Sequence, residues 1–287
     1  DTLLNIGEHN FNLEQSFTFV DGMTYSITIF CKDIFGYDSN RPTIDSLHFD
    51  VSSPVISIIN PSNDSFVNHY EYTYSTNELL SLTKFHWDNI GIIQDTFAPY
   101  EYLLKREELF MGDTIQISFE DSLTFVDSAQ YKLTVIGFDL AGNQSDSVFI
   151  EPITYDISPP IISEVNPPNN SFINSINISF SNSERLHSGT AAFIQIDERI
   201  DSLSPHLIQF SGKMLNIGYH DSIDFNQYKL LSDSSIYDIE LSAIDLAGNI
   251  AIPYKITDVI YDISEPIISE VYPPENSNIN KDSVSYE

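Results

Sequence analysis

The chain has 287 residues, with 12 Lys and Arg against 42 Asp and Glu and a net charge of −30. That balance excludes nucleic acid and anionic membranes as partners, because no basic patch is available to neutralise phosphate. It suits a highly soluble chain or one that takes up divalent cations; a disordered acidic chain is excluded because 41% of residues are hydrophobic and 13% aromatic.

One stretch occurs three times. Tyr25–Tyr37 reads YSITIFCKDIFGY, Tyr131–Asn143 reads YKLTVIGFDLAGN and Tyr237–Asn249 reads YDIELSAIDLAGN. The three tyrosines stand 106 residues apart. So do Asp33, Asp139 and Asp245, and so do Asn60-Pro61, Asn166-Pro167 and Tyr272-Pro273. Independent markers that share one period define a tandem array. Residues 1–50 match the second half of a repeat, 51–156 and 157–262 are complete repeats, and 263–287 carry the opening of another. The ends fall inside repeats, which reads as a fragment of something longer. No apolar run is long enough to span a bilayer, so this segment is not expected to insert in a membrane. The one cysteine, Cys31, stands where the other repeats have Gly137 and Ala243, and it reads as a small core residue.

Each complete repeat reads as β throughout, with short apolar or alternating runs separated by Asn, Asp, Gly, Ser and Pro. Pro54–Ile59 and Pro160–Val165 are first strands, opened by proline where a missing N–H costs least. Tyr70–Thr76 and Ile176–Ser181 follow, then Leu82–Trp87 and Ala191–Ile196. Thr114–Phe119 lies mid-repeat, and Pro99–Phe110 offers a short helical turn around Tyr102, Leu103 and Arg106. Tyr131–Phe138 and Tyr237–Ile244 are penultimate strands; Val148–Tyr155 and Tyr254–Tyr261 close the repeats. About seven strands in roughly a hundred residues predict an antiparallel sandwich.

Four residues before each repeated tyrosine stands an aspartate: Asp21, Asp127 and Asp233. Asp127-Ser-Ala-Gln-Tyr131-Lys-Leu133 resembles the immunoglobulin pattern, in which the tyrosine hydroxyl bonds backbone just upstream. Ile27, Leu133 and Ile239 stand in place of the cysteine, so aliphatic packing replaces the inter-sheet disulfide. Trp87 falls in the third strand, where such domains place a core tryptophan, and Phe193 follows one period later. The alternative is that Trp87 is an exposed binding aromatic.

Asp139–Asn143 and Asp245–Asn249 (Asp-Leu-Ala-Gly-Asn) and the linker Tyr155-Asp-Ile-Ser-Pro159 resemble bacterial immunoglobulin-like repeats, including cadherin-like ones, of large surface proteins and adhesins. The resemblance covers nearly the whole chain and implies an all-β, tandem immunoglobulin-like array forming an extended rod. Residues 1–50 depart from it, with Ile34-Phe35-Gly36-Tyr37 in place of Leu-Ala-Gly-Asn.

Calcium at the repeat junctions is the sharpest chemical expectation, since that ion takes six to eight oxygens. One candidate set is Asp139 at the strand end, Asp156 in the linker and Glu184 after the second strand. The equivalents are Asp33, Asp50 and Glu78 for the junction before, and Asp245 and Asp262 for the one after. The favoured alternative is that Asp139 bonds amides of its own Gly-Asn turn. The seven histidines form no His-Glu-x-x-His pair and read as surface or edge residues; no nucleophile elbow or phosphate loop is present, so no active site is expected. The stretches 88–110 and 197–215 align poorly between repeats, and Trp87, Tyr100 and Tyr102 are candidates for binding a surface glycan or protein. The expected function is a non-catalytic stalk or spacer of an extracellular or cell-surface protein, its nearest partners being neighbouring repeats. A glycan- or protein-binding adhesive module is the rival, and an accessory region of a secreted hydrolase the third possibility.

Overall fold

The computed structural model describes every residue except 1–6, 11, 13–16, 106–113, 200, 226–230, 270, 281–284 and 287. The chain divides into two compact units, Asp1–Asp156 and Ile157–Glu287.

The first unit opens with β1 (Met23–Thr28) and β2 (Thr43–Phe49), paired antiparallel with Met23 opposite Phe49 and Thr28 opposite Thr43. A complete sandwich follows. Its strands are β3 (Ile56–Asn60), β4 (Ser65–Val67), β5 (Glu71–Thr76), β6 (Leu80–Asn89), β7 (Tyr100–Lys105), β8 (Ile115–Ser118), β9 (Gln130–Asp139) and β10 (Val148–Tyr155). One sheet has the order β3-β5-β8 and the other β4-β10-β9-β6-β7. β9 is central because its sequence alternates strictly: Tyr131, Leu133, Val135 and Gly137 face inward, while Lys132, Thr134 and Ile136 face out. Period two is what a half-buried strand requires. The inward residues meet Phe85 and Trp87 of β6, Tyr72 and Tyr74 of β5, and Phe119. Each such side chain stabilises by about 1.5–3 kcal/mol on full burial.

β10 carries Pro152, which has no N–H to give to the ladder. The register slips between Ile150 and Ile153, and Asn63 Oδ1 accepts the Glu151 N–H at 3.1 Å. Beyond the slip, β10 pairs in parallel with β4.

The second unit repeats this plan. Its strands are β11 (Ile162–Asn166), β12 (Phe172–Ile173), β13 (Asn177–Asn182), β14 (Leu186–Gln195), β15 (His206–Gln209), β16 (Gly218–Asp224), β17 (Ser235–Asp245) and β18 (Tyr254–Tyr261). The sheets are β11-β13-β16 and β12-β18-β17-β14-β15, with a 3₁₀ turn at Gly212–Leu215. β19 (Val271–Tyr272) and β20 (Ser285–Tyr286) pair near the end.

Three expectations need correction. The helical turn in Pro99–Phe110 is instead β7 over Tyr100–Lys105, in register with Trp87–Leu82 of β6; the remainder lies outside the described residues. Cys31 is exposed, not core, because it lies beyond the end of β1, and β1 and β2 are the only described strands of that first repeat. His206 and His220 are buried rather than superficial, each satisfied by a hydrogen bond: His206 Nε2 with Asp201 Oδ2 at 2.6 Å and His220 Nε2 with Asn216 O at 2.9 Å.

Candidate functional site at the repeat joint

β9 ends at Asp139, and the turn Leu140–Asn143 reverses the chain. Asp139 Oδ1 accepts N–H groups of Gly142 at 2.7 Å and Asn143 at 2.8 Å, while Oδ2 accepts Asn143 Nδ2 at 2.8 Å. Gly142 sits at φ +95°, a conformation glycine reaches without penalty. Asp245 makes the same turn one period later, accepting Ala247, Gly248 and Asn249 N–H groups and Asn249 Nδ2 at 2.7–2.8 Å. Asp33 keeps two of these bonds, to the amides of Phe35 and Tyr37, both at 2.9 Å. The backbone of the turn therefore tolerates Tyr37, while the side-chain bond is lost there.

Asn143 does a second thing. Its Nδ2 also donates to the Asp50 carbonyl at 3.1 Å, so the turn of one repeat holds the last residue of the repeat before it. Here three acids converge: carboxylate oxygens of Asp50, Glu78 and Asp139 lie within 4.8 Å of one another. At that separation each like-charged pair repels by about 1 kcal/mol in water-like surroundings. Burial pushes the Glu78 carboxyl up, and the charges of Asp50, Asp139 and Asp21 push it further the same way. For Asp139 burial acts upward too, but the Asn143 amide and the turn N–H groups outweigh it and hold its carboxyl below the ordinary range.

The grouping differs from the one expected. Asp139 does not meet Asp156: β10 runs back antiparallel along β9, so Tyr155 lies beside Ala129, at the far end of a ten-residue strand about 30 Å long. For the same reason Asp33 and Asp50 lie beyond opposite ends of the β1–β2 pair, and Asp245 and Asp262 beyond opposite ends of β17–β18. Asp262 instead accepts the Ser264 N–H at 2.9 Å. In the second unit Glu184 and Asp245 have oxygens within 4.8 Å of each other, as Glu78 and Asp139 do one period earlier. Asp156 is buried at the end of β10 and its N–H donates to Val67 O at 2.9 Å.

As a cation site the Asp50 set fits in part. Among the described residues the Glu78 carboxylate takes no hydrogen bond, and Asp50 accepts only the Ser52 N–H at 3.1 Å, so both have oxygens to give. Asp139 has spent one oxygen on two amides. Calcium at this point would draw on the carboxylates of Glu78, Asp50 and Asp139, with water completing its shell.

The aromatic candidates belong to the core. Trp87 is 0% exposed, its Nε1 donating to the Tyr72 hydroxyl at 3.2 Å and its ring edge-on to Phe119 at 5.0 Å. Tyr102 packs edge-on against Phe119 at 5.1 Å. The Tyr100 hydroxyl lies 2.9 Å from both Asp95 Oδ2 and Thr124 O. The Trp87 ring is spent wholly inside the sandwich, so the binding role is withdrawn from it; Tyr100 and Tyr102 are half-buried and pack against the same core.

Asp95 is the residue that the sequence reading passed over. Tyr131 accepts the Val126 N–H at 2.9 Å and donates to Asp95 Oδ2 at 2.6 Å. Tyr237 accepts the Ser232 N–H and donates to Asp201 Oδ2, both at 2.8 Å. Tyr25 accepts the Val20 N–H at 2.7 Å. The tyrosine corner is thus built three times, and in the complete repeats an aspartate, the buried Asp95 or the half-buried Asp201, anchors it from the other side. The signal lay within the stretches that align poorly: Asp95 and Asp201, like Pro99 and Pro205, keep the 106-residue step. Burial acts to raise the Asp95 carboxyl, but the Tyr131 hydroxyl, the Phe97 N–H and the Tyr100 hydroxyl together hold it below its ordinary value.

No model of a protein family matches this sequence, and no curated protein matches it. Among solved structures, the first to third fibronectin type III domains of chicken CNTN1 align at 15% identity with a TM-score of 0.41, covering 85% of this chain and 77% of that one. The fibronectin(III)-like modules of Clostridium thermocellum CbhA align at 12% identity and TM-score 0.36, covering 75% of this chain and all of that one. The immunoglobulin-like fold rests on the strand order itself, and the bacterial family resemblance rests on the motifs.

Proposed function

We propose that this chain is a non-catalytic structural region of a larger extracellular or cell-surface protein, in which tandem sandwiches act as a stalk or spacer. The observation that carries this reading is the Asn143–Asp50 bond: the second repeat spends a loop, normally free for binding, on gripping the residue that enters it. Interiors filled by aromatic and aliphatic side chains, and buried polar groups that serve corners and turns, fit the same purpose. Calcium is the proposed companion, because it would cancel the repulsion among Asp50, Glu78 and Asp139. Thermal unfolding of the whole chain in millimolar calcium and in chelator tests this, since a ligand of the folded state alone must raise the midpoint. No shift leaves the aspartates as turn residues. Small-angle scattering tests the spacer, and a compact particle would remove it.

One observation favours an adhesive second reading. Ile92 is 97% and Phe97 76% exposed on a loop held by Asn89, whose Oδ1 accepts the Asp95 N–H and whose Nδ2 donates to Ile93 O. The next repeat keeps the scaffold through Gln195 Oε1 and the Asp201 N–H, but has Glu198 and Arg199 at the tip. The fold therefore does not require isoleucine there. A glycan- or protein-array signal abolished by Ile92→Glu supports this reading, and an array without signal ends it.

A further inference from the structure

The chain passes from the first repeat to the second through Asp50-Val51-Ser52-Ser53-Pro54. The exit is held from behind. Val51 N donates to Asp21 Oδ1 at 2.8 Å, the Ser52 hydroxyl donates to Asp21 Oδ2, and Ser52 N donates to Asp50 Oδ1 at 3.1 Å. The entry is held from ahead. Asn143 Nδ2 grips Asp50 O, Pro54 is buried in the second repeat, and Val55 N donates to Asn77 Oδ1 at 2.7 Å. Between these stretches only Ser53 carries no such bond among the described residues. It precedes a proline, which confines it to extended conformations.

The second unit builds the same exit independently. Ile263 N donates to Asp233 Oδ1 at 2.8 Å, the Ser264 hydroxyl to Asp233 Oδ2 at 2.6 Å, and Ser264 N to Asp262 Oδ1 at 2.9 Å. Glu265 then precedes Pro266 as Ser53 precedes Pro54. Asp21 and Asp233 each stand four residues before a corner tyrosine, Tyr25 or Tyr237. That tyrosine's hydroxyl fixes the backbone one residue before the aspartate, at Val20 and Ser232. The corner thus presents the carboxylate from a fixed support, and hydrogen bonds from the exit residues hold both carboxyls below the ordinary range.

We propose that Asp21 and Asp233 are latches that fasten the exit segment onto the repeat just completed, so that the joint at Ser53, held on both sides, is a one-residue hinge. The inference deepens the spacer reading and rests on it for its purpose: a tether of several free residues would flex, whereas a single pre-proline residue transmits the orientation of one sandwich to the next. It also gives the aspartate of the corner motif a task that the corner alone does not require, since the hydroxyl bonds of Tyr25 and Tyr237 form without it.

Amide hydrogen exchange on the whole chain tests the latch directly. The expected result is protection at Val51 and Ser52, with exchange there about tenfold faster in Asp21→Ala, the effect of losing one ordinary hydrogen bond, and with β9 amides unmoved. Asp233→Ala is the independent copy, read at Ile263 and Ser264, should the first variant disturb β1–β2. Spin labels at Asn40→Cys and Ser147→Cys, in a Cys31→Ala background, then report the joint. Their distance distribution is narrow in the parent and widens in Asp21→Ala. Unprotected amides at 51 and 52 in the parent, or a distribution that Asp21→Ala leaves unchanged, overturns the latch. A failed latch with an elongated particle in scattering sinks the latch alone; an intact latch with a compact particle sinks the spacer.

Discussion

Removing one oxygen from the second repeat should cost it a large share of its stability. Tyr131→Phe deletes the hydroxyl that accepts the Val126 N–H and donates to Asp95 Oδ2. The first bond is between neutral groups, worth about 1 kcal/mol net; the second ends on a carboxylate and is worth about 2 kcal/mol. The sum, about 3 kcal/mol, compares with a typical domain stability of about 5–15 kcal/mol. Phenylalanine keeps the ring stacked on Phe125 at 4.0 Å, so no cavity accompanies the loss. Trp87 is the only tryptophan and is buried in this repeat, so its emission reports the repeat alone within the intact chain. With a urea dependence of about 1.5 kcal/mol per molar, the midpoint should fall by about 2 M. Tyr25→Phe is the internal control. It loses only the Val20 bond in another repeat, and should leave the tryptophan transition where it was. A shift below about 0.5 M for Tyr131→Phe, or an equal shift for Tyr25→Phe, would refute the argument.

Further outcomes follow from the same geometry. The Asp95 carboxyl titrates below its ordinary 3.8 in the folded chain, so the stability it supplies is present above that value and is lost as pH falls through the folded one. Asp95→Asn should therefore flatten the acid limb of the tryptophan-detected stability profile, and an unchanged limb would count against it. Asp139→Asn keeps an oxygen for the turn amides but removes a charge from the joint. It should abolish any rise in midpoint on adding calcium while leaving the fold intact by circular dichroism. Gly189→Ala should destabilise the third repeat by about 1–3 kcal/mol through overpacking, because the added methyl would lie 2.2 Å from Phe210 Cδ2. Calorimetry of the whole chain would register a lowered transition, and an unmoved one would show that Phe210 yields freely.

Much of this architecture was legible in the residues. The step of 106 residues carried by Tyr25, Tyr131 and Tyr237 identified the repeats, and strict alternation over Tyr131–Phe138 marked the central strand. The Asp-x-x-x-Tyr pattern pointed to a corner whose hydroxyl bonds upstream backbone, and the bonds to Val20, Val126 and Ser232 are of that kind. These features are local: they depend on residues within a few positions of one another, and periodicity exposes them. Trp87 and Phe193 one period apart likewise suggested a shared core position, and both are buried.

What only the tertiary structure decided is which ends of the strands come together. Sequence equivalence is blind to direction, so Asp139 was grouped with Asp156, yet antiparallel β9 and β10 carry those residues to opposite ends of the repeat. Asp139 meets Asp50 and Glu78 instead, because the chain enters the sandwich at the end where β9 and β5 stop. Asp95 lies 36 residues from Tyr131, within a stretch of shifting composition, and its role appears only when β6 and β9 stand side by side. Cys31 and His206 tell the same lesson in opposite directions: burial belongs to the neighbours a residue acquires, and those neighbours come from strands far away in the chain.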